Sequence, residues 1–135
     1  MVQRGTRLDV AQLAARLGAM TDPAQLIAGA VHLTRQLNER CGDLIRVLLS
    51  AEPSEPDVAA AVADGMRRHE HGASFLGRQL SSLGALPTDM TPEHAAAVFS
   101  MMTSNASWRQ LTQSAHWSFD ESEAWLTQSL RQLLL

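Results

Sequence analysis

Lysine and tyrosine are absent from the chain, and cysteine occurs once. The 11 basic residues are therefore all arginine; they face 14 acidic ones, for a formal net charge of −3. That balance offers no basic surface for phosphates, so these residues by themselves make a poor nucleic-acid binder. A lone cysteine excludes an internal disulfide framework and a four-cysteine zinc site. No Gly-x-Ser-x-Gly elbow and no phosphate loop occurs, so the familiar signs of catalysis are missing and no cofactor is expected. The longest stretch without a charge, His94 to Trp108, is shorter than the ~20 residues a membrane-spanning helix needs. The N-terminus, Met1-Val2-Gln3-Arg4-Gly5-Thr6-Arg7, leads into no apolar run and does not read as a signal peptide. A soluble, cytoplasmic protein without a membrane partner is the expectation.

What is present is helical. The 135 residues, 45% hydrophobic and 19% charged, suit one domain with a real core spanning 1–135. Alanine and leucine dominate, β-branched residues are few, and apolar residues recur at spacings of three and four. The fold class expected is all-α, a bundle of about five to six helices. A first helix, Asp9 to Ala19, puts Val10, Leu13, Ala14 and Leu17 on one face and frays at Gly18. A second is capped by Asp22 and opened by Pro23, whose missing N–H costs nothing at the first helical position. Its stripe runs Leu26, Ile27, Ala30, Val31, Leu37, Cys41, Leu44, Ile45, Leu48 to an end near Ser50, ~42 Å of helix. Ser54, Pro56 and Asp57 start a third, striped by Val58, Val62, Met66, His69, Leu76, Leu80 and Leu83 and stopped by Gly84. Gly65 and Gly72 inside it make a bend or a short break plausible.

Thr91 and Pro92 open a fourth helix, expected from Pro92 to about Ala115. It carries no charge from His94 to Trp108, and Ala95, Ala96, Ala97, Ser100, Ser104, Ala106 and Ser107 are all small. A helix without a charged face is covered on most sides, and a domain this small cannot cover it alone. The fifth helix starts at a capping box, Ser118 with Glu121, and carries Phe119, Leu126, Leu130, Leu133 and Leu134, with Trp125 widening the stripe. Two apolar helices ending the chain predict a homodimer through helices 92–115 and 119–134, a four-helix seam with two helices from each subunit.

The stretch Leu83-Gly84-Ala85-Leu86-Pro87-Thr88-Asp89-Met90-Thr91-Pro92-Glu93-His94-Ala95-Ala96 resembles the link into the penultimate helix of TetR-type transcriptional regulators. So do Ala106-Ser107-Trp108-Arg109-Gln110-Leu111 and Trp117-Ser118-Phe119-Asp120-Glu121-Ser122-Glu123-Ala124-Trp125-Leu126. The resemblance covers helix order from Asp22 to Leu135 and motif over the final fifty residues. It implies the ligand-binding and dimerisation domain of a repressor, whose last two helices form the dimer bundle and whose middle helices enclose a pocket for a small apolar ligand. It further implies regulation by population shift, the ligand preferring one dimer geometry. Such regulators carry about three further N-terminal helices with a helix-turn-helix. No trace of these precedes Thr6, so DNA would be reached only through an N-terminal part absent here.

Residue by residue, His69 and His71 point ~200° apart on a helix and cannot share a metal ion, so no metal site is expected. His71 sits with Asp64, Arg67 and Arg68 on a polar face. His69, on the apolar stripe, has two readings: a core histidine bonded to a backbone carbonyl, or a group that orients a ligand. His32 leans toward the structural role. Cys41, on the apolar stripe of the second helix, reads as an inert core thiol. The ligand-binding set expected is Leu37, Cys41, Met66, His69, Phe99, Met102 and Asn105, an adaptable apolar lining with few polar groups. Two other classes compete. One is a stand-alone interaction protein that heterodimerises with a regulator through the same two helices; the other is a small enzyme using His69, which the sequence provides with no partner.

Overall fold

In the computed structural model, which describes residues 10–51 and 54–135, a short helix α1 (Val10–Gly18) leads into three helices that each begin at a proline. These are α2 (Pro23–Ala51), α3 (Pro56–Ser82) and α4 (Pro92–Met102). The caps follow the expected chemistry at two of the three starts. Asp22 Oδ1 accepts from the N–H of Ala24 at 3.0 Å, and Thr91 Oγ1 from that of His94 at 3.0 Å. At α3 the cap position is Glu55, which makes no side-chain cap bond, and Pro56 alone marks the start. α3 ends in a Schellman arrangement: Gly84 turns left-handed at φ 68°, and Ala85 N–H reaches back to Leu80 O at 3.0 Å. A five-residue helix α5 (Asn105–Arg109) passes directly into a π-helical turn, Gln110–Ser114, before α6 (Phe119–Leu134). All regular structure among the described residues is helical, so the all-α expectation stands.

α2 is the central strut. α6 runs antiparallel along it, with Arg131 at Ala24 and Asp120 at Arg35. α5 continues that cover, with Trp108 at Thr34 and Asn105 at Asn38. α3 packs on another side of α2, and α4 returns antiparallel along α3, Pro92 near Gly77 and Ser100 near His69. The core between them is built from Leu26, Ile27 and Val31 of α2, Leu76 and Leu80 of α3, Phe99, Trp108, and Leu126, Leu130 and Leu134 of α6. No helix among the described residues is long and apolar enough to cross a membrane.

Several expectations are corrected. The stripe of α2 is buried only through Thr34; beyond it Leu37 is half-buried, Cys41 is exposed and Leu44 is 59% exposed. The reason is length. α2 extends for about 43 Å, whereas the 16 residues of α6 extend for only about 24 Å, so the far end of α2 has little beside it except α3. Met66 on α3 is 60% exposed for the same reason. α3 is unbroken through Gly65 and Gly72. The fourth helix is not continuous to Ala115 but stops at Met102 and restarts at Asn105. On α6, Leu133 and Trp125 are about half exposed, while Leu126, Leu130 and Leu134 are buried. Of the stripe expected on α1, Leu17 is buried; the side chains of Val10, Leu13 and Ala14 lie outside the described residues, as does Asp9.

Gly77 shows how tightly α4 is seated. A Cβ there would run into the carbonyl oxygen of Pro92 and press on the Ala96 side chain, whereas a Cβ on Gly72 meets nothing. Gly72→Ala should therefore stabilise the fold by about 0.5–1 kcal/mol through helix propensity. Gly77→Ala should instead destabilise it by about 1–3 kcal/mol through overpacking, both read from urea denaturation midpoints. Equal stabilisation by the two would disprove the close approach of α4.

Candidate functional site

The break between α4 and α5 is made by hydroxyls. The last carbonyls of a helix lack intrahelical partners, and here those of Phe99, Ser100 and Met101 each receive a side chain. Thr103 Oγ1 donates to Phe99 O at 2.7 Å, and Ser107 Oγ to Met101 O at 2.7 Å. Ser104 then caps α5, its Oγ accepting from Ser107 N–H at 3.2 Å. The carbonyl of Ser100 is taken by His69 of α3, whose Nε2 lies 3.0 Å away. A carbonyl only accepts, so Nε2 carries the proton and Nδ1 is left as the other face of the ring. His69 thus follows the first of its two readings, a half-buried histidine bonded to backbone.

The seven residues expected to line a ligand site differ widely in burial. Cys41 and Met66 face solvent, and Phe99 is in the core with 3% of its surface accessible. Leu37, His69, Met102 and Asn105 are half-buried, Met102 packing against the core. Asn105 is the member with a polar neighbourhood. Its Nδ2 donates to Asn38 Oδ1 at 2.8 Å, and Asn38 Nδ2 donates to the carbonyl of Thr34 at 2.9 Å. Thr34 Oγ1 receives the indole N–H of Trp108 at 3.2 Å and donates to Val31 O at 2.8 Å. Asn105 Oδ1 and, one turn on, Arg109 Nε are buried and have no hydrogen-bond partner. Sequence reading missed Thr34, Asn38 and Arg109. The Thr-x-x-x-Asn spacing on α2 puts the first two on one face, but nothing in the sequence alone says that this face meets α5.

A second polar cluster joins α2 to α6. Arg35 Nη1 donates to Asp120 Oδ1 at 2.7 Å and to Glu123 Oε1 at 2.8 Å, and Nε to Glu39 Oε1 at 3.2 Å. Its guanidinium also lies 5.8 Å from the centre of the Phe119 ring. The Glu123 contact, followed by those to Asp120 and Glu39, raises the Arg35 pKa above its ordinary value against the opposing effect of burial, so the group stays charged. His32 Nδ1 sits 3.0 Å from Glu123 Oε2 and Nε2 2.8 Å from Gln36. Beside this cluster a shallow groove, open to solvent, is lined by Ala28 and Ala124 together with Arg35 and Arg131. Every charged group around Arg35 is answered within the chain, so the cluster fastens α6 to α2.

Outward, the last helices are apolar. Met101 at the end of α4 is 64% exposed; Trp125 and Leu133 on α6 and Leu135 just after it face solvent, Trp125 meeting the edge of Trp117 at 5.9 Å between centroids. Among the described residues no three His, Cys, Asp or Glu side chains are grouped to hold a metal ion. Comparisons with protein-family models, curated proteins and solved structures find no match to this chain.

A double-mutant cycle on Arg35→Ala and Glu123→Ala should give a coupling of about 1 kcal/mol, since both side chains are partly buried and well aligned. The same cycle on Arg46 and Asp43, 3.5 Å apart on the exposed surface, should give no more than about 0.3 kcal/mol. Equal couplings in denaturant unfolding would remove the assigned role of the Arg35 cluster.

Proposed function

We propose that the chain is the effector-sensing, homodimerising domain of a cytoplasmic TetR-type transcriptional repressor, reaching DNA only through an N-terminal part outside these 135 residues. The observation that carries the dimer is the outward set of apolar side chains on the two last long helices. Met101, Trp125, Leu133 and Leu135 are exposed while the opposite faces of the same helices already fill the core. Large apolar residues exposed together mark an interface more often than a free surface; Leu44, Val47 and Leu49 toward the end of α2 and Met66 on α3 are exposed as well, outside this pair of helices. α4 supports the same reading: from His94 to Met102 it carries no Asp, Glu or Arg, and its exposed positions include Ala97 and Met101. The motifs around Thr91-Pro92, Trp108-Arg109 and Trp117-Ser118 supply the resemblance to TetR-type domains. In this reading the protein binds and responds; it does not turn a substrate over.

A route from ligand to dimer is available in the packing. α5 sits between a helix break and a π-helical turn, and its Trp108 stacks on Phe119, the first residue of α6, at 5.8 Å. A ligand that favours one position of α5 would bias the pose of α6, and hence the dimer geometry.

Native mass spectrometry at ten micromolar should find a dimer. The double variant Trp125→Glu with Leu133→Glu should be a monomer of unchanged helicity by circular dichroism, because both residues are about half exposed in one chain. A monomeric wild-type protein, or a double variant that remains dimeric, would refute the interface.

A further inference from the structure

We infer that Asn105 and Arg109 form the polar end of a ligand site whose occupant is a small carboxylate bearing a hydroxyl or amide N–H donor close to the acid and an apolar remainder. The inference rests on the reading of the domain as a ligand sensor and names the chemistry that the sensor would take.

Three half-buried arginines occur among the described residues, Arg35, Arg109 and Arg131. Arg35 is held by three carboxylates, and Arg131 donates to the carbonyl of Ala24. Arg109 has no such partner, and its Nε is buried without any. A guanidinium N–H withdrawn from water is normally matched by an acceptor, best an anion. Among the described residues none lies within hydrogen-bond distance of this Nε.

Asn105 lies four residues earlier on the same helix, so the two side chains are neighbours on one face. The orientation of its amide follows from a fixed point. The Thr34 carbonyl can only accept, so Asn38 must turn its Nδ2 toward it and present Oδ1 to Asn105. Asn105 must answer with Nδ2, which leaves its Oδ1 as a buried acceptor with nothing to accept from. Flipping the amide would set oxygen against oxygen. Buried polar atoms without partners are rare enough in folded chains that each calls for a cause, and here two occur one turn apart.

The pair is asymmetric in its demand. Arg109 asks for an acceptor, best a carboxylate, and Asn105 Oδ1 asks for a donor. A plain carboxylate satisfies only the first, and an alcohol only the second. A β-hydroxy acid or an N-acylated amino acid satisfies both within the span of one helical turn. The half-buried Leu37, next to Asn38 on α2, and Met102, just before the helix break, offer apolar surface close to this polar end.

Isothermal titration calorimetry on the whole chain with β-hydroxyoctanoate, octanoate and octanol tests this directly. The unmodified protein should bind β-hydroxyoctanoate most tightly, octanoate less and octanol least. Arg109→Gln should weaken both acids about tenfold or more while leaving octanol unchanged. Asn105→Ala should make the two acids bind alike. The inference is overturned if neither acid shows saturable binding below millimolar concentration, if octanol binds as well as the acids, or if Arg109→Gln binds them like the wild type. The ranking on unmodified protein decides even if a variant does not fold. Native mass spectra of the same samples separate the two ideas: a dimer without acid binding overturns this site alone, whereas a monomer that binds the acids overturns the dimer alone.

Discussion

The indole of Trp108 is the side chain on which three helices converge. It is the largest fully buried residue, its N–H is tied to Thr34 on α2, and its ring stacks on Phe119 at the start of α6. Phe119 in turn carries Arg35 over its face, and Arg35 gathers Glu39, Asp120 and Glu123. Burial of so much aromatic surface is worth several kcal/mol, more than any single ion pair in the chain. Yet the ring sits on a helix of only five residues, too short to hold itself. The order of α5 therefore comes from its contacts: remove the pocket for Trp108, and Asn105, Arg109 and the entry to α6 lose their positions together.

Those contacts explain what was legible beforehand and what was not. The starts at Pro23, at Thr91-Pro92 and at the Ser118–Glu121 box are local chemistry, decided within four residues, and they were readable. The split of the fourth helix is local chemistry too, but its signal was ambiguous. Ser104 and Ser107 read only as small residues, whereas their hydroxyls and that of Thr103 compete for the carbonyls of α4, and Ser104 caps α5. Periodicity found the stripes of α2 and α3 correctly but could not say how far along them a neighbour extends. Cys41, Leu44 and Met66 fall on the stripe and still face solvent, because the cover ends before they do. Cys41 and Met66 of the expected ligand set come from those stripes and share that exposure. Asn105 belongs to a polar neighbourhood that depends on which turn of α2 meets α5, and such a pairing across sixty-seven residues leaves no mark in local sequence.

Internal and external faces of α6 divide the work of the chain. Leu126, Leu130 and Leu134 spend their surface on the core, and Arg35, His32 and Arg131 fasten the helix edge to α2. What is left over, Trp125 and Leu133, is too large and apolar to be favoured in water. An ion-paired edge also fixes the rotation of α6 about its own axis, so the apolar residues are aimed rather than merely exposed. A seam formed by two such helices would be sensitive to small turns of α6, and these originate at Phe119 and Trp108.

Energetics set a condition on any ligand that works through this route. Taking a two-state equilibrium from 1:99 to 99:1 needs about 5.5 kcal/mol of differential affinity. In a symmetric dimer that switches as a unit, two ligands share the task, so each must contribute roughly 2.7 kcal/mol. A neutral hydrogen bond, at about 0.5–1.5 kcal/mol, falls short, whereas one to a charged group, at about 1.5–3 kcal/mol, reaches it. Of the two unanswered atoms on α5, Arg109 Nε would therefore be the one with leverage in the proposed site, and Asn105 Oδ1 the one that selects. A ligand lacking an anionic group could occupy that site and still leave the proposed dimer where it was.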